Sequence, residues 1–148
     1  MTKQTIEAEE RNELISRTIL DEWGSPIGTI SLYDIESHAG FLGTWLGKPY
    51  HGKGYNKLAK DAFFNEAFYE LGIETIFMRI KKENIRSKRA AEKLPYIIHA
   101  NESRKAVYDQ INADGIIYDI YEIPKDLYSL HVLREGTLIE DTSHLKEA

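Results

Sequence analysis

Hydrophobic and polar positions alternate over three early stretches of the chain and then change to a helical rhythm. Leu14 to Leu20 is a short run of β-formers. Ile27 to Ile35 alternates, with Ile27, Thr29, Ser31 and Tyr33 on one face and Ile30 and Leu32 on the other. Ala39 to Leu46 is a third run. Turn residues separate them, Glu22-Trp23-Gly24-Ser25-Pro26 and then Glu36-Ser37-His38. Strands on such short turns predict an antiparallel meander. From Tyr55 to Leu71 the spacing is helical: Ala59, Phe63 and Ala67 fall on one stripe, Phe64, Phe68 and Leu71 on the next. So wide an apolar arc predicts a helix packed on a sheet, closed by Gly72.

Glu74 to Ile80 alternates again, Ile76, Met78 and Ile80 against Thr75, Phe77 and Arg79. A second helix starts near Asn84 and ends at Pro95. Tyr96 to His99, Ala106 to Ile111, Ile116 to Ile123 and Leu127 to Leu133 read as further β segments, with a turn at Asp114-Gly115. Thr5 to Arg11 is charged and helix-prone, and the tail after Gly136 is expected to fray. The helix at 55–71 joins two strands as a crossover, which predicts that they run parallel in a mixed sheet. The 148 residues suffice for one domain, 1–148, with a core from about 12 to 135.

Composition narrows the function by exclusion. The net charge of −5 gives no footprint for nucleic acid and is compatible with a cationic substrate. The absence of cysteine removes disulfides, thiolate metal sites and a cysteine nucleophile. No apolar run approaches the roughly 20 residues of a membrane span, and the first residues lack the apolar core of a signal peptide. The expectation is a cytoplasmic protein with no membrane, nucleic-acid or metal partner.

The segment Gly43-Thr44-Trp45-Leu46-Gly47-Lys48-Pro49-Tyr50-His51-Gly52-Lys53-Gly54-Tyr55-Asn56 is the strongest chemical signal. A strand runs into a glycine-rich turn and then into a helix, which aims backbone N–H groups at a phosphate. It is not a nucleoside-triphosphate P-loop, because Gly43 and Gly47 enclose three residues rather than four and Pro49 stands where Ser or Thr should hold magnesium. It is not a dinucleotide fingerprint, because Lys57 occupies the third glycine position. His51-x-x-Gly54-x-Asn56 partly matches the coenzyme A pyrophosphate pattern Gln/Arg-x-x-Gly-x-Gly/Ala. A turn that needs glycine only to change direction is the competing reading.

Further on, Asn84-Ile85-Arg86-Ser87 follows a strand and Glu92-Lys93-Leu94-Pro95-Tyr96 ends the next helix. With the glycine loop, these resemble the two signatures of the general N-acetyltransferase (GNAT) superfamily. Gly43 to Tyr50 resembles the branch that acetylates ribosomal-protein N-termini and, in relatives, polyamines. Asp126-Leu127-Tyr128-Ser129-Leu130 is similar to that branch's closing strand. The likeness spans about Ile27 to Leu133.

The resemblance implies an α/β (α+β) GNAT fold. Its sheet is mixed and mostly antiparallel with a splayed parallel central pair, helices cover both faces, and the N-terminal part is shortened. It implies that acetyl-CoA is the co-substrate and that a primary amine attacks the thioester directly. Trp45 and Leu46 would offer strand backbone to pantetheine, and His51, Gly52, Lys53, Gly54, Tyr55 and Asn56 would hold the pyrophosphate. Asn84 would reach pantetheine or a water, although its simpler role is a helix cap. The Tyr that relatives place seven residues after the Asn as acid is Ala91 here, which leaves Ser87 as the replacement. The frequent Glu is Phe41, so the base is unassigned among Asp34, Glu36, His38, Glu102, Tyr121 and water. A shortened N-terminus leaves three options: an open acceptor site suited to a protein or peptide amine, a site completed by a second chain as a homodimer, or a weakly active descendant. The acceptor expected is therefore a protein N-terminus or lysine. The alternatives are a small polyamine-like amine and a non-catalytic acyl-CoA-binding sensor.

Overall fold

A computed structural model of the chain describes residues 13–138. The expected helix at Thr5 to Arg11 and the end of the tail lie outside them. The chain divides into two compact units, one ending at Glu74 and one starting at Thr75.

In the first unit, β1 (Ile15–Leu20), β2 (Pro26–Glu36) and β3 (Ala39–Leu46) form the predicted meander. Thr18 pairs with Thr29, and Thr29 with Trp45; Leu32 pairs with Leu42. A 3-10 turn, Lys48–Tyr50, leads to α1 (Tyr55–Tyr69). The helix packs on β1 and β2 and buries Phe63, Phe64, Ala67 and Phe68. Ile19, Ile30 and Leu32 supply the sheet side of that core. Ile27 is buried as well, although alternation placed it with Thr29. The β1–β2 register skips it, so Ile27 is the extra residue of a bulge and escapes the two-residue period. Arg17 Nε donates to Glu66 Oε1 at 2.8 Å and ties β1 to α1. The helix stops short of Leu71; left-handed Gly72 (φ +74°) turns the chain so that Ile73 N–H reaches Ala67 O.

In the second unit β6 (Tyr118–Pro124) lies between β4 (Thr75–Lys81) and the two-residue β5 (Ile98–His99), antiparallel to both. α2 (Ile85–Glu92), α3 (Lys105–Ile111) and α4 (Lys125–Leu138) complete it. Two expected strands are helices. Ala106 to Ile111 lies in α3, where Val107, Tyr108 and Ile111 are the half-buried positions, a helical spacing that β-branched composition concealed. Leu127 to Leu133 lies in α4, so the likeness of 126–130 to a closing strand does not hold. Tyr128 and His131, three residues apart, both pack edge-on against Tyr96, which only a helix allows. α4 continues through Gly136 to Leu138, past the point expected to fray.

Three polar residues, Thr75, Asp119 and Glu122, are buried in this unit. Asp119 meets Lys88 Nζ at 2.6 Å and accepts from Asn101 Nδ2 at 2.9 Å. Glu122 accepts from Arg104, whose guanidinium also lies over the Phe77 ring. Each buried charge is thus neutralised by a cation on an adjoining helix or turn.

Candidate functional site

The glycine loop sits in the first unit, between the end of β3 and the start of α1. The first intrahelical bond of α1 runs from Leu58 N–H to Gly54 O at 3.1 Å. The N–H groups of Tyr55, Asn56 and Lys57 therefore have no partner inside the helix. Gly54 is the N-cap residue and makes no side-chain cap. Gly52 (φ +74°) and Gly54 (φ +87°) are both left-handed and flank Lys53. This alternation turns successive N–H groups toward one side and forms an anion nest at the positive end of the helix dipole. A Cβ built on either glycine meets nothing within 4 Å, so the space above the amides is open and only a glycine-compatible backbone is required. The amides, the dipole and exposed Lys53 and Lys57 fit a diphosphate.

Hydrogen-bond phase decides which β3 backbone groups face β2. Gly47 N–H donates to Ile27 O at 2.9 Å. Counting back along the register, Trp45 is a hydrogen-bonded partner of Thr29, and its amide and carbonyl face β2. Leu46 points its own groups to the other edge. Its carbonyl accepts from His51 Nε2 at 2.7 Å, which requires that nitrogen to carry the proton. The His51 ring is thus a clamp between loop and strand, while its backbone stays in the loop. The Trp45 side chain is 64% exposed.

Tyr55, the first residue of α1, donates its hydroxyl to Glu22 at the β1–β2 turn. That bond, with lesser contributions from partial desolvation and the Glu22 charge, pushes the phenol up to about 12. Tyr50 packs edge-on against the Tyr55 ring at 5.8 Å. No spacing in the sequence announces the link between positions 22 and 55.

The remaining expected residues lie in the second unit. Asn84 is the N-cap of α2, and its Oδ1 accepts from Ser87 N–H at 3.2 Å, so the helix-cap role is realised. The Ser87 hydroxyl is half-buried and has no hydrogen-bond partner among the described residues. Ala91 is buried in a cluster with Ile80 and Tyr121, which leaves its position no room for a tyrosine. Tyr121 is no base: it is buried, donates to Glu92 Oε1 at 2.9 Å, and is held protonated by burial first and the Glu92 carboxylate second. Glu102 is exposed in a turn. In the first unit, Asp34, Glu36 and His38 cluster at the far end of β3 from Leu46, roughly 23 Å away over a strand of that length. Phe41 stacks on Tyr33 at 5.8 Å.

A family model described as an acetyltransferase (GNAT) domain matches residues 1–96. The chain belongs to the GNAT acetyltransferase family. Its fold is the α/β GNAT fold, and its class of activity is acyl-CoA-dependent N-acetyl transfer. No curated protein matches the sequence. Among solved structures, the chain is similar to a spermidine N-acetyltransferase SpeG variant from Vibrio cholerae, with 15% identity, TM-score 0.67, and 85% of this chain and 74% of that one covered. A dodecameric form of the spermidine N-acetyltransferase from the same organism has 15% identity and TM-score 0.66, with 83% and 71% covered. The Vibrio cholerae enzyme in complex with manganese ions has 15% identity and TM-score 0.64, with 85% and 74% covered. Among the described residues of this GNAT chain, no group of three His, Asp or Glu side chains could hold a metal ion, and no helix is long and apolar enough to cross a membrane.

Proposed function

We propose that this chain is a single acetyltransferase domain that moves the acetyl group of acetyl-CoA onto a primary amine of a small polyamine-like acceptor. The observation that carries the donor half is the uncapped start of α1 behind two left-handed glycines, in a chain of the GNAT family. For the acceptor, the names of the structural neighbours favour a small amine over the protein or peptide amine expected from the sequence. That expectation leaned on the residues before Glu13, which lie outside the described range. A net charge of −5 agrees with a cationic acceptor.

In this reading the N–H groups of Gly52 to Asn56 hold the diphosphate, with Lys53 adding charge, and Leu46, whose carbonyl is taken by His51, presents its N–H to the pantetheine arm. Trp45 contributes its exposed ring rather than its amide. Acetyl-CoA supplies a thioester carbon for attack. The acceptor arrives as an ammonium with a pKa of about 10, so freeing its lone pair at pH 7 costs roughly 4 kcal/mol. With Tyr121 held protonated and Asp34, Glu36 and His38 remote from the loop, water is the simplest proton acceptor. Ser87 is the acid candidate toward the departing thiolate, which has a pKa of about 8.5 and needs little help. Asn84 orients the α2 start that carries it.

Release of free thiol from acetyl-CoA, followed with spermidine and with a peptide bearing a free N-terminus, tests the proposal. Turnover with spermidine at least tenfold above the peptide is expected. Thiol release with the peptide alone would return the acceptor to a protein amine. Binding of acetyl-CoA without thiol release from either would make the chain an acyl-CoA sensor.

A further inference from the structure

Trp23 has the most exposed large apolar side chain among the described residues, 81% open to solvent. An indole left so bare forgoes a large burial gain. Its backbone is nevertheless held firmly. Asp21 Oδ1 accepts from both Trp23 N–H and Ser25 N–H at 2.9 Å, Gly24 N–H donates to Asp21 O, and Asp21 N–H donates to Ser25 O. Gly24, at φ +80°, closes the turn. The ring is thus free in water on a rigid mount, which lowers the ordering cost of any ligand that stacks on it.

The mount is also anchored beside the α1 nest. Glu22, the neighbour of Trp23, accepts from the hydroxyl of Tyr55, the residue after Gly54. One hydrogen-bonded Glu–Tyr pair thus bridges the turn and the first residue of α1, a separation that the nucleoside half of a dinucleotide-like donor can cover from its diphosphate. The groups at the tip favour the base over the phosphates. Both acids there, Asp21 and Glu22, are already engaged, one by the turn amides and the other by Tyr55. They offer no donor to a phosphate, so the exposed indole face is what the tip has to give, and an aromatic base is the part of the donor that can use it.

We propose that Trp23 is the stacking platform for the nucleobase of the donor, so that the β1–β2 turn selects acyl carriers that bear a nucleoside. The inference rests on the acetyl-CoA reading of the α1 nest. It adds a recognition element 29 residues before the glycine loop begins at Gly52. The nest fixes the diphosphate, and the indole face fixes the base on the far side of the ribose.

Isothermal titration of wild-type protein, Trp23→Ala and Trp23→Phe with acetyl-CoA and with S-acetyl-4′-phosphopantetheine, which has no nucleoside, tests this. The expected result is an affinity loss of about tenfold for acetyl-CoA in Trp23→Ala, the usual worth of one base–aromatic stack. Trp23→Phe should recover part of it, and the affinity for the nucleoside-free donor should be the same in all three proteins. Equal acetyl-CoA affinity in wild type and Trp23→Ala overturns the platform while leaving the nest intact. An equal loss for both donors also overturns it, because it marks a merely structural tryptophan. Absence of acetyl-CoA binding to the wild type removes the donor reading itself.

Discussion

Gly54→Ala separates the cofactor role of the loop from its structural role. The residue sits at φ +87° and ψ −4°, where an L side chain costs about 1–2 kcal/mol. Alanine stiffens the unfolded chain and returns about 0.4–1 kcal/mol. A Cβ at this position meets nothing within 4 Å, so no clash is added. The net destabilisation is about 1 kcal/mol, which lowers Tm by about 3 °C for a chain of this size. The effect on binding is different in kind. On the proposed function, a methyl group in this unoccupied space intrudes on the diphosphate that the N–H groups of Tyr55, Asn56 and Lys57 would hold. Wild-type protein in acetyl-CoA at a hundredfold excess over Kd gains about 2.7 kcal/mol, or about 8 °C. If the methyl weakens binding about a hundredfold, the same concentration gives the variant only about 0.4 kcal/mol. Thermal melts of both proteins with and without acetyl-CoA read this directly. A variant that melts about 3 °C lower but keeps the full ligand-induced rise would refute the backbone-amide seat.

Two further perturbations probe what supports the site. Gly28→Ala should be the harsher glycine replacement: its Cβ would lie 2.2 Å from Trp45 O and 3.0 Å from Leu46 Cα. Backbone cannot swing aside as a side chain can, so β2 and β3 must part where β3 enters the loop, costing about 1–3 kcal/mol in urea unfolding; wild-type stability in this variant would contradict the β2–β3 register. Asp119→Asn tests the buried charge of the second unit. Burial pushes the Asp119 carboxyl up, but the Lys88 and Asn101 hydrogen bonds and the Lys88 charge outweigh it and hold it below the usual carboxylate range. A depressed folded value means that the carboxylate stabilises the fold above pH 4 and loses that contribution as pH falls through the folded value. The variant, with Lys88 left unpaired, should therefore be about 3 kcal/mol less stable at pH 7. The gap should narrow below pH 4, and a pH-independent gap would argue against the ion pair.

The parts legible in the sequence were those with a local period or a local backbone demand. The meander and β4 followed from alternation, α1 from its helical stripes, and the glycine loop from a glycine-rich turn set between a strand and a helix. The errors fell where β-formers sit on a helix. Val107, Tyr108 and Ile111 look like strand residues one by one, as do Leu127 to Leu133, and only the three- and four-residue spacing of contacts such as Tyr128 and His131 on Tyr96 shows the helix. The site was legible only as a linear motif. That Trp45 turns its amide to Thr29 depends on hydrogen-bond phase, and phase is fixed by the pairing of strands. The Glu22–Tyr55 bond and the Lys88–Asp119 pair join residues 33 and 31 positions apart, beyond any pattern a chain displays along its length.

The clamp of His51 on Leu46 links these observations into one account of how the seat is preorganised. A loop with two left-handed glycines is entropically expensive to order, and a mobile nest would bind phosphate weakly. Here the loop is pinned on both sides before any ligand arrives. The His51 ring holds the loop entrance to the end of β3, and Glu22 holds the loop exit through Tyr55. Both pins run to the same meander, and β2 is locked to β3 there by a glycine that leaves no room for a side chain. The departure from Gln or Arg at position 51 is then a change of mechanism rather than a loss. The imidazole reaches inward and fixes the main chain that, on the proposed function, would hold the diphosphate. It follows that His51→Gln should weaken diphosphate binding more by loosening the loop than it regains through a new contact.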